Sequence, residues 1–291
     1  MTAPPNAYFT IDPTVFLSIP GPSVLLECMS IMVSVLGSGS RGNATYIRTD
    51  RVRLLIDCGF GRRTIRKRLA AIGEDPDGIT AVLVTHEHSD HVGGLKSMLK
   101  DSSIEAFMSC GTIAGSRADS FEMKGSAALV PVVPGRRFQI GDVEVEPFAV
   151  PHDSAEPIAF SVRHKGIKVT QVTDLGWIPD SVSSSLQGSD VLIIESNHDL
   201  DMLRIGSYPW HLKERLIGRN GHLSNSAVGR FLGSSYDGQA QHVVLAHLSS
   251  KNNHPEIAKL EARQALGARG FDENCVSLAS QAEPSTPIEL G

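Results

Sequence analysis

The sequence predicts an α/β fold, and two observations support this. Short runs rich in Val and Ile, each the length of a buried strand, alternate with stretches of helical character. Several of these runs also stop at a residue that can bind a metal or move a proton. Because functional groups at strand ends along one edge of an α/β fold make a concave site, the pattern predicts such a site there.

Six runs are predicted to be strands. The first is IMVSVLG, which begins just after Met29. The others span 79–85, 143–151, 167–173, 190–195 and 242–246, and they stop at His86, His152, Asp174, Glu195 and His247. Helices are predicted over 62–72, 92–100, 210–217, 224–233 and 254–268, with Gly73, Gly218 and Gly270 where helices commonly end.

Composition and length favour one folded domain. The chain has 291 residues, of which 41% are hydrophobic, and this excludes a disordered polymer. Without a long linker or repeat, we expect one domain over 29–280, a loose leader over 1–28 and a C-terminal tail over 281–291. The apolar segment 14–36 is broken by prolines and a glutamate, so neither a signal peptide nor a membrane helix is indicated. The four cysteines form no C-x-x-C pair, and a cytoplasmic protein is expected.

Charge is distributed unevenly along the chain. The formal net charge is -5, yet residues 41–68 hold nine Lys and Arg residues against two Asp residues. This segment could follow a phosphate backbone, or it could be the solvated face of a helix at 62–68. Aromatic residues that could stack on bases are scarce, with Tyr208 and Trp210 close together, so a duplex end or a short frayed end is favoured over long single strands.

The strongest motif is the run His86-Glu87-His88-Ser89-Asp90-His91. In extended backbone, His86 and His88 project the same way and can bind one ion, while a turn lets Asp90 and His91 bind a second. The alternative is a polar loop in which Ser89 or Asp90 caps the next helix. Four ligand-type residues in six positions make that alternative weak.

This motif, with the strand ends that follow it, resembles the metallo-β-lactamase-fold superfamily of metallohydrolases from about residue 33 to 255. The resemblance implies a four-layered αβ/βα sandwich with a dinuclear metal site between the sheets. It implies that His86, His88 and His152 hold one metal, that Asp90, His91 and His247 hold the other, and that Asp174 bridges them. The ions would be Zn, Mn, Fe or Ni, with a bridging hydroxide as nucleophile.

Charge counting in such a site favours an anionic substrate. Two divalent cations, two aspartates and one hydroxide leave a net charge of about +1, which suits a phosphodiester. A thioester or lactone, hydrolysed by a thioesterase- or lactonase-type enzyme, remains the alternative. A metal-binding module without catalysis is a further alternative, which the complete ligand set disfavours.

Four segments point to one branch of the superfamily. LGSGSRGNATYI (36–47), ESNHD (195–199), YPWHLKERLIGRNGHLSN (208–225) and LAHLSSKNN (245–253) look like the YycJ/WalJ-like branch, small proteins described as 5′→3′ DNA exonucleases. The interval from Asp174 to His247 is 73 positions, too short for the cap domain of the large nucleases. The resemblance therefore implies a substrate with a DNA 5′ end, with RNA also possible.

The GHLSN segment is also similar to tRNA 3′-processing endonucleases of the same fold. By that analogy His222 is the candidate general acid, and Asp90 is the other candidate catalytic residue. The segment can equally be a helix cap in which Ser224 or Asn225 precedes the helix, and the two roles can coexist.

Three further features have open interpretations. His198 and Asp199 could orient metal ligands or form a surface turn. The loop 37–43 could contact a phosphate through its backbone N–H groups and hydroxyls, or form an ordinary hairpin turn. His211 is expected on a helix.

Overall fold

The computed structural model describes residues 30–116 and 129–291. Within these ranges, two seven-stranded sheets pack face to face, and helices cover both outer faces. The predicted four-layered α/β sandwich is therefore confirmed. The leader predicted over 1–28 lies outside the described residues.

The first sheet has the strand order β14-β1-β2-β3-β4-β5-β6. Its strands are β1 (Ile31–Gly37), β2 (Ala44–Arg48), β3 (Arg53–Ile56), β4 (Ala81–Leu83), β5 (Glu105–Ser109), β6 (Leu129–Val132) and β14 (Ile288–Leu290). Strands β3 to β6 are parallel, so the residues that follow β3 and β4 emerge at the same edge of the sheet.

The second sheet has the order β13-β12-β11-β10-β9-β8-β7. Its strands are β7 (Phe138–Ile140), β8 (Val143–Ala149), β9 (Ile158–His164), β10 (Ile167–Val172), β11 (Val191–Glu195), β12 (His242–Ala246) and β13 (Val276–Leu278). Strands β10 to β13 are parallel, and β8 runs in the same direction because β9 is antiparallel to both of its neighbours. The ends of β8, β10, β11 and β12 therefore share one edge.

Nine α-helices connect the strands in the described ranges. They are α1 (Arg62–Ala71), α2 (Ser89–Val92), α3 (Leu95–Leu99), α4 (Cys110–Gly115), α5 (Asp180–Leu186), α6 (Leu200–Ile205), α7 (Trp210–Ile217), α8 (Asn225–Ser234) and α9 (Pro255–Gly267). Helices α1 and α3 bury apolar residues against the first sheet, while α5, α8 and α9 bury theirs against the second.

Strand β1 shows why its sequence reads as a continuous apolar run. Ile31, Val33 and Val35 face the core between the two sheets, whereas Met32 and Leu36 face the helices outside. Since side chains alternate between the faces of a strand, a strand covered on both faces needs apolar residues at nearly every position.

Two of the predicted boundaries are wrong. The predicted tail 281–291 ends in β14, which pairs antiparallel with β1, so its last residues belong to the first sheet. The predicted helix 92–100 is instead two short helices, α2 and α3, separated at Gly93 and Gly94. A Cβ atom on Gly94 would lie 1.7 Å from the carbonyl oxygen of Phe60, so this close approach of two backbones requires glycine.

No helix in the described part of the chain is both long and apolar enough to cross a bilayer. Cys58, Cys110 and Cys275 are free thiols. His211 lies in the first turn of α7, on a helix as expected.

Candidate metal centre

The segment after β4 brings the first group of predicted ligands into the cleft between the sheets. His86 and His91 are buried, and His88 and Asp90 are half-buried. His88 occupies the position before α2 without a capping hydrogen bond, so neither Ser89 nor Asp90 caps that helix. The capping interpretation of this motif is therefore wrong.

The second sheet supplies the remaining three predicted ligands. His152 follows β8, Asp174 follows β10 and His247 follows β12, and all three are buried. Asp174 and His247 have φ values of 60° and 54°, in the left-handed region that residues other than glycine rarely adopt. Such strained backbone clusters at functional sites.

The structure brings all seven predicted ligand residues together. Their donor atoms form groups in which every atom lies within 4.8 Å of the others: His86 with His88 and His152, Asp90 with His91 and His247, and His86 with His91 and Asp174. Asp174 Oδ2 is 3.2 Å from His91 Nε2, between the two histidine groups. The seven side chains are thus close enough to share metal ions, and the ligand set that the resemblance implies stays a prediction.

The hydrogen bonding of the His86 ring leaves its Nε2 atom available to a metal. The Thr85 hydroxyl donates to Asp57 Oδ1 at 2.9 Å, so its oxygen accepts from His86 Nδ1, also at 2.9 Å. His86 Nε2 is buried and has no hydrogen-bond partner within the described residues. Burial and the neighbouring His91 lower the pKa of His86, which keeps the ring neutral.

Asp57 also orients His91. Its Oδ2 accepts a hydrogen bond from His91 Nδ1 at 2.8 Å, and both side chains are fully buried. Burial alone would lower the pKa of His91, but the carboxylates of Asp174 and Asp57 raise it. Sequence reasoning missed this role of Asp57, although Asp57 follows β3 in the way that the predicted ligands follow their strands.

Glu195 has the matching role in the second sheet. Its Oε1 accepts hydrogen bonds from Nδ1 of His247 and Nδ1 of His222, each at 2.8 Å, while Oε2 accepts from the backbone N–H of Leu223. Burial would raise the pKa of Glu195, yet the hydrogen bonds and charge of the two histidines lower it. The sequence pattern identifies Glu195 only as a residue at the end of a predicted strand. Its contacts in the structure assign it to ligand orientation.

These hydrogen bonds have the pattern that commonly orients the histidines of a metal site. Metal-binding histidines commonly donate their second ring N–H to a carboxylate or carbonyl oxygen, which fixes the tautomer. His152 follows the same rule, since its Nδ1 lies 3.2 Å from the carbonyl oxygen of Gly221. His247 Nε2, like His86 Nε2, has no hydrogen-bond partner among the residues described. The donor set therefore fits divalent cations.

His222 lies beside the predicted ligands, on a segment that also caps a helix. Its ring lies 5.3 Å from those of His152 and His247, at the edge of the cluster. Burial would lower the pKa of His222, but the Glu195 carboxylate raises it. Two residues later Ser224 caps α8 by accepting a hydrogen bond from the Ala227 N–H, so the segment is also a helix cap.

His198 and Asp199 do not have the orienting role considered for them. Asp199 caps α6, accepting hydrogen bonds from the N–H groups of Asp201 and Met202. His198 is buried rather than on a surface turn, burial lowers its pKa to about 4, and its Nδ1 has no partner in the described ranges. Within the described part of the chain, neither side chain makes a hydrogen bond to a predicted ligand.

The glycine-rich loop 37–43, which belongs to the first sheet, contacts two of the predicted ligands. Ser38 donates its hydroxyl to Asn43 and accepts the His247 N–H at 2.8 Å. Asn43 Nδ2 lies 3.1 Å from His91 Nε2. Ser38 and Asn43 are thus engaged within the protein, and Ser40 is the residue of this loop that lines the cleft.

The basic segment 41–68 uses much of its charge internally. Arg48 pairs with Glu74 at 3.0 Å, and Arg66 pairs with Asp77 at 3.0 Å. Arg68 donates to the carbonyl oxygens of Leu36, Gln281 and Ala282. These contacts favour the interpretation of a solvated helix face.

The cleft itself has a volume of about 170 Å³. It is lined by Ser40, His88, Asp90, His152, Asn197, Tyr208, Arg215, Leu216, His222, His247, Leu248, Ser249 and Ser250. Arg215 supplies a cation at this opening that the sequence analysis did not single out.

Comparison with known proteins agrees with this geometry. A family model described as the beta-lactamase superfamily domain matches residues 52–248. The chain belongs to the beta-lactamase superfamily. Within the metallo-β-lactamase fold it is similar to exodeoxyribonuclease YycJ of Bacillus anthracis, at 31% identity over 271 residues, covering 90% of this chain and 99% of the relative.

One further relative and one solved structure extend the comparison. Exodeoxyribonuclease WalJ of Streptococcus pneumoniae is 31% identical over 239 residues, covering 78% of this chain and 85% of the relative. Among solved structures, the metallo-β-lactamase fold protein YhfI of Bacillus subtilis superimposes with a TM-score of 0.66 at 17% identity, covering 88% of this chain and 99% of that one. The last likeness concerns the fold alone.

Proposed function

We propose that this member of the superfamily is a metal-dependent phosphodiesterase that removes nucleotides from the 5′ end of DNA. The observation that carries the proposal is the convergence of five histidines and two aspartates in one cleft, where the Nε2 atoms of His86 and His247 have no hydrogen-bond partner among the described residues. The similarity to proteins named exodeoxyribonucleases over most of both chains supports the choice of substrate.

The ligand groups divide between two ions. His86, His88 and His152 would hold one ion, and Asp90, His91 and His247 would hold the other, with Asp174 between them. Bound divalent metals such as Zn, Mn, Fe or Ni lower the pKa of water and stabilise the charge on the entering and leaving oxygens.

His222 would protonate the leaving group. Glu195 holds Nδ1 of His222 and raises the pKa of the ring, which favours the protonated form. His222 lines the cleft, so its ring can give a proton to the 3′-oxygen that leaves the scissile phosphate. His247, whose Nε2 lies 3.6 Å from Asp90 Oδ2, and the nearby His91 outweigh burial and lower the pKa of Asp90, so its carboxylate carries no proton at neutral pH.

The size of the cleft favours a polymeric phosphodiester over a small ester. Pockets that enclose small organic substrates measure about 300–1,000 Å³, and this cleft is about 170 Å³. It can admit a phosphodiester group while the rest of the substrate stays outside.

The proposal is tested with end-labelled substrates and each divalent ion in turn. We expect the protein loaded with Mn or Zn to shorten 5′-labelled duplex DNA faster than it cleaves labelled RNA or a chromogenic thioester. Asp174→Ala should abolish DNA cleavage and lower the metal content. Asp201→Ala, an exposed aspartate outside the cleft, is the matched control and should keep full activity.

Faster turnover of the thioester by the wild type would replace the nuclease proposal with the esterase alternative. Undiminished DNA cleavage by Asp174→Ala would contradict the assignment of the metal site. Circular dichroism and thermal unfolding show whether each variant is folded.

A further inference from the structure

Arg215 lies at the opening of the cleft, and the proposed mechanism gives this side chain no role. It lies near the end of α7, and its side chain is 60% exposed. It lines the same cleft as His88, His152 and His222. A guanidinium at this place brings a permanent positive charge beside the predicted metal ligands.

Asp153 fixes the orientation of this side chain. Arg215 Nε donates to Asp153 Oδ2 at 2.6 Å, and the other carboxylate oxygen of Asp153 lies 3.4 Å from His152 Nε2. The backbone N–H of Asp153 is in turn bonded to the carbonyl oxygen of Asn220. Asp153 therefore connects Arg215 to the loop that carries His152.

The hydrogen bond to Asp153 uses Nε only. The two terminal nitrogens, Nη1 and Nη2, have no hydrogen-bond partner within the described parts of the chain. Their N–H groups match the spacing of two oxygens on one phosphate, a bidentate geometry that lysine cannot reproduce.

We propose that Arg215 binds the DNA phosphate next to the scissile one, and that Asp153 positions it for this contact. The inference rests on the proposed nuclease function and names the residue that recognises the substrate backbone. The cleft holds about one phosphodiester group, so the neighbouring phosphate must lie at the opening, where Arg215 stands. The positive charge on Arg215 would attract it there.

Other groups at the opening are consistent with a backbone that crosses it. The hydroxyl-bearing residues Ser40, Ser249 and Ser250 line the cleft, and Lys251 Nζ lies 5.5 Å from the centre of the Tyr208 ring. A polyanion lying across the opening would thus meet cations and hydroxyl groups on more than one side.

Arg215→Gln tests the inference, with Arg204→Gln as the matched control. Arg204 is 64% exposed, lies on α6 and pairs with exposed Asp201. We expect Arg215→Gln to raise KM for duplex DNA by about tenfold to a hundredfold with a smaller effect on kcat. Its plot of log kcat/KM against log salt concentration should be shallower by about 0.9, the change for one lost phosphate contact.

Three more measurements test the charge of Arg215, its contact with a second phosphate and its positioning by Asp153. Arg215→Lys keeps the charge, so it should restore the salt dependence but only part of the KM. Hydrolysis of bis(p-nitrophenyl) phosphate, which has only the scissile phosphate, should change little in Arg215→Gln. Asp153→Asn should raise KM for DNA in the same direction as Arg215→Gln.

The possible failures are distinguishable. If the wild type does not cleave duplex DNA, both the nuclease proposal and this inference are overturned. If the wild type cleaves DNA and Arg215→Gln matches Arg204→Gln in KM and salt dependence, the role of Arg215 is overturned while the nuclease proposal stands. Equal loss of activity on DNA and on the single-phosphate ester would show that Arg215 acts on the metal site instead.

Discussion

Thr85 passes the orienting effect of Asp57 to His86, because its hydroxyl lies 2.9 Å from Asp57 Oδ1 and 2.9 Å from His86 Nδ1. Asp57 also accepts directly from His91 Nδ1. One buried carboxylate therefore sets the tautomer of a histidine in each of the two ligand groups. Such supporting contacts commonly change metal affinity by about 10–100-fold when they are removed.

Thr85→Val should weaken metal binding while leaving the shape of the site nearly unchanged. Valine has the size of threonine but cannot relay the hydrogen bond, so His86 loses its fixed tautomer. We expect the affinity for Zn or Mn, measured by competition with a chelator, to fall by about 10–100-fold. Thr80→Val is the control, because Thr80 is exposed and bonds to Arg53 far from the ligands. Equal affinities for Thr85→Val and wild type would contradict the relay.

Replacing His222 should affect substrates according to their leaving group. A general acid matters most when the leaving oxygen is strongly basic, as the 3′-oxygen of DNA is. His222→Gln should lower kcat for DNA by about 10²–10⁴-fold and have a much smaller effect on bis(p-nitrophenyl) phosphate. Metal analysis is the control for intact ligands. A similar loss on both substrates would assign His222 to metal binding or structure rather than to proton transfer.

The residues that the sequence identified share one property. His86, His152, Asp174 and His247 each follow an apolar run that becomes a buried strand, and the parallel sheet topology brings such strand ends together. Their positions follow from hydrophobic patterning, and the family resemblance adds the pairing between them. Both kinds of information are present in the linear sequence.

Asp57 and Glu195 could not be assigned in this way. Their roles come from contacts across 34 positions to His91 and across 27 and 52 positions to His222 and His247. Similarly, the charge excess in 41–68 did not reveal that Arg66 faces Asp77. Partners that are distant in sequence become visible only when the sheets are in register.

Gly59 should tolerate no side chain, because two backbone segments of the site meet at its Cα. An added Cβ would lie 1.8 Å from Asp90 O and 2.6 Å from Asn43 N. Gly59→Ala must therefore displace the Asp90 backbone, and we expect a loss of about 1–3 kcal/mol in unfolding free energy together with weaker metal binding. Urea unfolding and chelator competition measure the two effects.

Gly61→Ala is the matched control for this prediction. Gly61 has φ of -59° and nothing within 4 Å of an added Cβ. Its replacement at the start of α1 should cost about 1 kcal/mol or less and leave metal affinity unchanged. Comparable metal affinities in Gly59→Ala and Gly61→Ala would contradict the view that the Gly59 contact positions Asp90.

The last prediction concerns Lys168, a buried amine remote from the cleft. Its Nζ donates to the carbonyl oxygens of Ser185 and Gln187 at 2.7 and 2.6 Å, where α5 ends. Burial and the nearby Arg163 charge lower its pKa to about 8, whereas an unfolded lysine has a pKa of about 10.4. Between these values the unfolded chain binds more protons than the folded one, so the Lys168 contribution to stability rises with pH.

Comparison with Lys168→Met isolates this effect, because all other titrating groups are common to both proteins. The unfolding free energy of the wild type relative to Lys168→Met, from urea midpoints, should be constant below about pH 8 and rise from pH 8 to 10. Lys67→Met, at an exposed position on α1, should show no such trend. A difference that stays flat would mean that the two carbonyl contacts balance burial and keep the folded-state pKa near that of the unfolded chain, and a difference that falls would mean that they raise it above that value.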